Sequence, residues 1–230
     1  MCAQEKLPDI SEEPLKTTLK RFCIVVVFGV AFAYIEAAVV VYLREIFHSD
    51  GFTFPLRDFP ISENRNLLLT EIGREGATIV LILTGCWLMG RNLQQRFAYF
   101  LTIFAVWDIF YYIWLKILIN WPESIMDWDI LFLIPITWAS PVLAPVLVSL
   151  TLLVFAIILL YRCRCGAPLK VSLTDWIGFF LAGLVVIVSF WIAGSHITAP
   201  DFQSHFHWAL FALGNIGAIA LFLRCFLKSK

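Results

Sequence analysis

Charged residues are scarce in this sequence, since Lys, Arg, Asp and Glu together make up 15% of its 230 residues. The 17 basic and 17 acidic side chains give a net charge of zero, so no overall field attracts nucleic acid or an acidic partner. Hydrophobic residues make up 60% of the chain, and its mean hydropathy is +0.84. This composition excludes a water-soluble globular domain and makes the lipid bilayer the expected partner.

Several motifs of soluble enzymes are missing. The sequence contains no Gly-rich phosphate loop, no Gly-x-Ser-x-Gly nucleophile elbow and no His-Glu-x-x-His motif. Its six cysteines and four histidines are too scattered for a zinc ribbon or a disulfide framework. The basic residues are spread over several segments instead of forming a patch interleaved with aromatic residues, so the sequence does not support a nucleic-acid-binding role.

Long apolar stretches are plentiful. A helix needs about 20 mostly apolar residues to cross about 30 Å of hydrocarbon. Six stretches meet this requirement: Phe22–Leu43, Leu67–Met89, Phe97–Ile119, Pro141–Tyr161, Asp175–Gly194 and His207–Leu223. We therefore predict an all-α, integral membrane bundle of six helices. Its predicted parts are a cytoplasmic N-terminal segment (1–21), a six-span transmembrane domain (22–223) and a cytoplasmic tail (224–230).

The first span is expected to be an uncleaved signal anchor, because it follows a polar segment and is too long for the apolar core of a signal peptide. The region before the fourth span is less regular, since Pro135, Pro141 and Pro145 remove backbone donors from it. We expect Leu131–Ser140 to be an interfacial or re-entrant segment packed against protein, where its backbone groups find partners.

Basic residues indicate the orientation. Twelve of the 17 fall on one side of a six-span topology: Lys6, Lys16, Lys20, Arg21, Arg91, Arg96, Arg162, Arg164, Lys170, Arg224, Lys228 and Lys230. The positive-inside rule then makes both termini cytoplasmic. All six cysteines fall in cytoplasmic segments or near cytoplasmic helix ends, which predicts no structural disulfide. Cys163 and Cys165 could in principle bind a metal, but one pair at this spacing is more typical of two free thiols.

Six ionisable residues lie inside predicted spans, all in the outer half of the membrane. They are Glu36, Glu71, Arg74, Glu75, Asp108 and Lys116. Each charge near the membrane centre costs about 2.5–3.5 kcal/mol on insertion scales unless it is paired or hydrated. Such residues are therefore candidates for a functional site.

Helical spacing brings these residues onto common faces. Glu71, Arg74 and Glu75 stand at i, i+3 and i+4 of the second span. In the third span, Asp108 is followed at i+4 and i+8 by Tyr112 and Lys116. A short connection makes these two spans antiparallel neighbours. We predict a polar pocket among the first three helices, formed by Glu36, Glu71, Arg74, Glu75, Asp108, Tyr112 and Lys116.

The pocket has two interpretations. In the first it is a structural salt-bridge network, with Arg74 paired to Glu71 or Glu75 and Lys116 paired to Asp108. This network leaves two acids over, because four carboxylates face two cations. In the second interpretation a proton, a metal ion or a cationic ligand fills the deficit. No cofactor is predicted. A metal ion remains an alternative, but no histidine lies deep inside a span and Arg74 would compete with it.

The predicted exoplasmic surface carries all four histidines and offers a second candidate site. His196, Asp201, His205 and His207 could ligate zinc or copper, since imidazole suits both metals. The spacing is unspecific, and His48 lies in another loop. Loop histidines at a membrane rim are more often ordinary surface residues.

Three functions follow from these observations. The leading one is the handling of a proton, a cation or a small polar molecule at the polar pocket. The first alternative is a membrane-embedded enzyme that acts on a lipid or quinone at the outer leaflet, with a carboxylate as general base. The second is a non-catalytic accessory subunit, whose buried charges serve helix packing with a membrane-protein partner or in a homo-oligomer.

Several segments resemble a group of uncharacterised bacterial integral membrane proteins. The resemblance covers roughly residues 22–160, and the segments that carry it are Tyr34–Arg44, Glu71–Glu75, Trp107–Tyr112, Trp121–Ser124 and Trp128–Pro135. It implies a location in the bacterial inner (plasma) membrane and adds no activity.

Overall fold

The computed structural model describes residues 14–47, 54–55 and 64–229. Its six long helices are α1 (Leu15–Phe47), α2 (Arg65–Met89), α3 (Leu93–Ile119), α4 (Leu143–Arg164), α5 (Leu173–Gly194) and α6 (Trp208–Lys228). A hairpin of two short strands, β1 (Trp128–Phe132) and β2 (Trp138–Pro141), lies between α3 and α4. A short 3₁₀ helix, Phe202–His205, precedes α6. Apart from the hairpin, the predicted all-α class is confirmed.

Five of the helices are long and apolar enough to cross a membrane. They are α1, α3, α4, α5 and the stretch Phe202–Lys228 that contains α6. This is the organisation of a multi-pass membrane protein. Helix α2, which carries Glu71, Arg74 and Glu75, does not belong to this set, so a sixth span stays a prediction.

Each predicted span overlaps one helix, and side-chain caps mark several helix starts. Asn64 accepts a hydrogen bond from the Leu67 backbone N–H ahead of α2, and Asn92 does the same for Gln95 ahead of α3. Ser172 and Asp175 form a capping box at α5. Helix α1 begins at Leu15, inside the predicted cytoplasmic segment 1–21, of which residues 1–13 lie outside the described residues.

The helices pack in two groups. In the first group α3 is central, with α1, α2 and α4 packed against it, whereas α5 and α6 pack chiefly against each other. Gly29 lets α1 approach α3 closely, since a Cβ at this position would lie 2.9 Å from Cγ1 of Val106. The Trp114 indole N–H donates to the Val30 carbonyl at 3.0 Å, which ties the same two helices together.

The segment predicted to be interfacial or re-entrant is the antiparallel hairpin. Prolines at 135 and 141 exclude a continuous helix, and aromatic and β-branched residues such as Ile130 and Trp138 favour strands. Trp128 pairs with Pro141 and Phe132 with Trp138, with an irregularity between Ile130 and Phe132. The hairpin packs against α5, where a Cβ at Gly194 would lie 1.9 Å from the Thr137 carbonyl oxygen. The hairpin is therefore packed closely against α5.

Candidate functional site

A cavity of about 920 Å³ lies among the helices and the hairpin. All six helices and both strands contribute to its lining. Six of the seven residues of the predicted polar pocket line it: Glu36, Glu71, Arg74, Glu75, Asp108 and Tyr112. Lys116 does not. The cavity also receives Arg44, Tyr111 and Asp129, which the predicted pocket did not include.

The acidic and basic residues of α2 share one buried face, as their spacing predicts. Glu71 and Glu75 are each 5% exposed, and Thr78, one turn further on, is 4% exposed. These residues stand at i, i+4 and i+7, so their side chains project from the same side of the helix. Apolar positions at this spacing would make an ordinary core stripe, whereas α2 carries two carboxylates and a guanidinium there.

Arg74 holds two carboxylates from two helices. Its Nε donates to Oε2 of Glu71 at 2.8 Å, and its Nη1 donates to Oε1 of Glu36 on α1. The Thr78 hydroxyl donates to the other oxygen of Glu36 at 3.3 Å. The planar guanidinium can serve two carboxylates at once because its donors point in fixed directions. The predicted pairing of Arg74 with Glu71 is therefore present, and Glu36 joins it.

Glu75 has a different partner, the backbone of the hairpin. The Leu133 N–H donates to both oxygens of this carboxylate, at 2.9 and 3.0 Å. Within the described residues, no basic side chain lies within 4 Å of it. Glu75 thus anchors the hairpin to α2 through one backbone donor, without a cation in direct contact.

Asp108 likewise has a hydroxyl, and not a described basic group, as its partner. Its Oδ2 accepts a hydrogen bond from the Ser149 hydroxyl of α4 at 2.8 Å, and the described part of the chain places no basic group within 4 Å. Tyr112, one helical turn further along α3, is 6% exposed and lines the cavity as predicted. Its ring lies 4.9 Å from that of Tyr111, centroid to centroid.

Another ion pair, between Arg44 and Asp129, also lines the cavity. Arg44 of α1 lies 3.2 Å from Asp129 of β1, and the Tyr111 hydroxyl donates to the same carboxylate at 3.2 Å. The Arg44 guanidinium also stacks over the Trp121 ring at 3.8 Å. Burial raises the pKa of the Asp129 carboxyl to about 6, against the opposing effect of the Arg44 charge.

The predicted polar pocket did not include Arg44 and Asp129. One signal pointed to a deeper location for Asp129, because it lies inside the apolar run from Trp128 to Pro135. A carboxylate in such a run needs a buried partner. The partner is 85 residues away in the chain, so local spacing does not indicate it.

The prediction for Lys116 is wrong. Its side chain is exposed, and its ammonium group donates to the backbone carbonyls of Asn120 and Pro122, at 3.3 and 3.0 Å. A lysine in the last turn of a helix readily satisfies the final carbonyl groups and extends toward the membrane surface. Lys116 also lies about 12 Å along the helix axis from Asp108, which is too far for the predicted ion pair.

Three of the four residues of the predicted histidine site, His196, Asp201 and His205, lie close together. The rings of His196 and His205 stack at 3.8 Å between centroids, and His205 Nε2 lies 3.4 Å from Asp201. His207 is exposed ahead of α6, and His48 lies outside the described residues. Residues 14–47, 54–55 and 64–229 contain no group of three or more His, Cys, Asp or Glu residues that could hold a metal ion.

Cys163 and Cys165 differ in burial. The Cys163 thiol is buried and donates to the Gln94 side chain at 3.3 Å, whereas Cys165 is exposed. The two thiols therefore occupy different environments at the predicted cytoplasmic end of α4. This placement favours the interpretation as two free thiols.

No known protein family matches this chain, and neither a curated protein nor a solved structure is similar to it. The residues that line the cavity are the basis for inferring a function.

Proposed function

We propose that the chain is a six-span protein of the bacterial inner membrane, with both termini in the cytoplasm. Helix α2 supplies the sixth span, since its 25 residues reach about 37 Å. The hairpin acts as a re-entrant segment from the exoplasmic side. Leu133 near its tip binds Glu75, which lies about 15 Å along α2 from Arg65. The positive-inside rule and the bacterial resemblance support this arrangement.

The cavity binds a proton, a cation or a small polar molecule at its charged end. One observation carries this proposal: Glu75 and Asp108 share the cavity, and the described residues place no cation within 4 Å of either carboxylate. The cavity lining contains five carboxylates and two guanidinium groups. Arg74 holds Glu36 and Glu71, and Arg44 pairs with Asp129.

Electrostatics explains why this arrangement favours a mobile positive charge. An ionised carboxylate near the middle of a membrane costs about 2.5–3.5 kcal/mol unless a counter-charge or water stabilises it. A purely structural network would provide each acid with its own cation. Among the residues that the structure describes, Glu75 and Asp108 instead have one neutral donor group each, Leu133 N–H and the Ser149 hydroxyl. A proton or a bound cation supplies the remaining charge.

Carbodiimide labelling tests this proposal, because dicyclohexylcarbodiimide adds to protonated carboxyl groups in apolar surroundings. The purified protein is labelled across a range of pH values, with and without methylammonium, and modified residues are identified by mass spectrometry. We expect labelling at Glu75 and Asp108 that falls as the pH rises and falls again when methylammonium is added. Glu36 and Glu71 are internal controls and should stay unlabelled, because both carboxylates are paired with the Arg74 guanidinium.

Two variants sharpen the experiment. If both acids serve one cation, Glu75→Gln should reduce the protection of Asp108 by methylammonium, and Asp108→Asn should reduce that of Glu75. Labelling that is independent of both pH and methylammonium would instead support the accessory-subunit alternative, in which the charges only fix helix packing. Equal labelling of all four acids would also contradict the proposal, because the pairing with Arg74 would then have no chemical effect.

A further inference from the structure

The cavity extends far beyond its charged end. Along α3 the lining residues run from Tyr112 back to Leu93, a distance of about 28 Å, and along α5 they run from Phe190 to Trp176, about 21 Å. The cavity therefore reaches from the exoplasmic ion pairs to the opposite ends of these helices. A proton or a small cation would occupy a small part of this volume.

Most of this length is apolar. The wall is built from side chains on four different helices, among them Phe100, Phe104, Leu152, Phe155, Phe179 and Phe222. Gln94, Thr151 and Asn215 are polar exceptions. The Gln94 side chain accepts from the Cys163 thiol at 3.3 Å, and the Thr151 hydroxyl donates to a backbone carbonyl of its own helix at 2.9 Å. The groove follows from the helix packing, because α3 packs against α4 while α5 packs against α6, and an apolar channel is left between the two pairs.

The shape and the charge distribution of the cavity fit an amphiphilic ligand, which has a charged head and an apolar tail. We infer that the cavity binds a long-chain amine, with its cationic head at the carboxylate-lined end of the cavity, to which Glu75 and Asp108 belong, and its apolar tail in the groove between α3 and the α5–α6 pair. This inference rests on the proposed function and adds the class of ligand. The head is cationic because carboxylates outnumber guanidinium groups at this end.

Two features favour an amine over a phosphate-bearing lipid. A phosphate head group would need a guanidinium or ammonium partner, but Arg74 and Arg44 already contact carboxylates. Aromatic rings also line the cavity that Asp108 lines, and among them Trp107 lies 5.7 Å from Phe104 and 6.1 Å from Phe132 between ring centroids. Aromatic faces attract cations, and more strongly where water is excluded.

Gly183 provides a way to block the groove. It lines the cavity on α5, and no heavy atom lies within 4 Å of a Cβ built at this position. Gly183→Phe should therefore place a ring in the groove without a backbone clash. Gly217 of α6 is the matched control, because it is equally free of neighbours at Cβ and does not line the cavity.

The experiment uses photoreactive hexadecylamine and photoreactive hexadecanol, each carrying a diazirine at the same tail position. The protein is reconstituted in phosphatidylcholine nanodiscs, and cross-linked residues are mapped by mass spectrometry. We expect the amine to label groove residues of α3, α4, α5 and α6 at least about tenfold more than the alcohol, as loss of a charge-assisted contact predicts. Asp108→Asn and Gly183→Phe should each reduce amine labelling by a similar factor, and Gly217→Phe should not.

Each outcome bears on one level of the proposal. If methylammonium protects the acids from carbodiimide but hexadecylamine leaves the groove unlabelled, the long-chain ligand is refuted and the cation site stands. If neither amine protects the acids or labels the groove, and carbodiimide labelling is also independent of pH, both proposals fail. Equal labelling by amine and alcohol would refute selection by the head group. Displacement of hexadecylamine by phosphatidylethanolamine at equal concentration would refute the preference for a ligand without phosphate.

Discussion

Replacing Arg74 should show how much its ion pairs contribute to the stability of the protein. Its guanidinium holds Glu36 and Glu71, whose side chains are 12% and 6% exposed. Replacing it with glutamine leaves these two carboxylates buried side by side without a cation. Breaking a buried ion pair by removing one partner typically costs about 3–5 kcal/mol. We expect Arg74→Gln to lower the free energy of unfolding by an amount in this range.

The loss should be reversible by removing the unpaired charges. The triple variant Glu36→Gln, Glu71→Gln, Arg74→Met replaces the network with neutral groups, and we expect it to recover most of the lost stability, to within about 1–2 kcal/mol of the parent protein.

The measurement is equilibrium unfolding in mixed micelles, followed by tryptophan fluorescence. Lys116→Gln is the control, because Lys116 is exposed and contacts only backbone carbonyls at the end of α3 among the described residues. Its removal should cost no more than about 1 kcal/mol. Equal losses for Arg74→Gln and Lys116→Gln would refute the reasoning, and so would a triple variant no more stable than Arg74→Gln.

Two further predictions concern the hairpin and the topology. Gly194→Val should displace the hairpin and lower the melting temperature, because even a Cβ at this position would clash with the Thr137 carbonyl oxygen. Gly183→Ala is the control and should leave the melting temperature unchanged, because no heavy atom lies within 4 Å of a Cβ there. Equal melting temperatures for the two variants would contradict this contact. In a background without natural cysteines, a cysteine at Ser124 should react with an impermeant maleimide from outside the cell and one at Asn92 from inside; the reverse pattern would overturn the orientation.

Much of the candidate site follows from local spacing and from the cost of burying charge. Glu71, Arg74 and Glu75 share a face of α2 because a helix repeats every 3.6 residues. Lipid cannot solvate such a face, so it must turn toward other protein groups. These two arguments placed six of the seven predicted residues in one cavity, although they could not say which acid would pair with Arg74.

The errors have a common physical origin. Lys116 was assigned to Asp108 because both lie on α3, but its flexible side chain bonds instead to carbonyl groups at the helix end. Asp129 was not included in the predicted pocket, because its partner Arg44 is distant in the chain and meets it only through the hairpin. Contacts of this kind depend on how a loop folds back, which periodicity does not describe.

The amino-acid sequence alone was sufficient to establish the helical membrane class, the approximate limits of the helices and the presence of carboxylates in excess of cations. These properties depend on composition and on the short repeat of a helix. The pairing of Arg44 with Asp129, the anchoring of Leu133 on Glu75 and the long apolar groove arise only in the folded protein. They depend on the relative positions of segments far apart in the chain, and these positions are set by packing against one another.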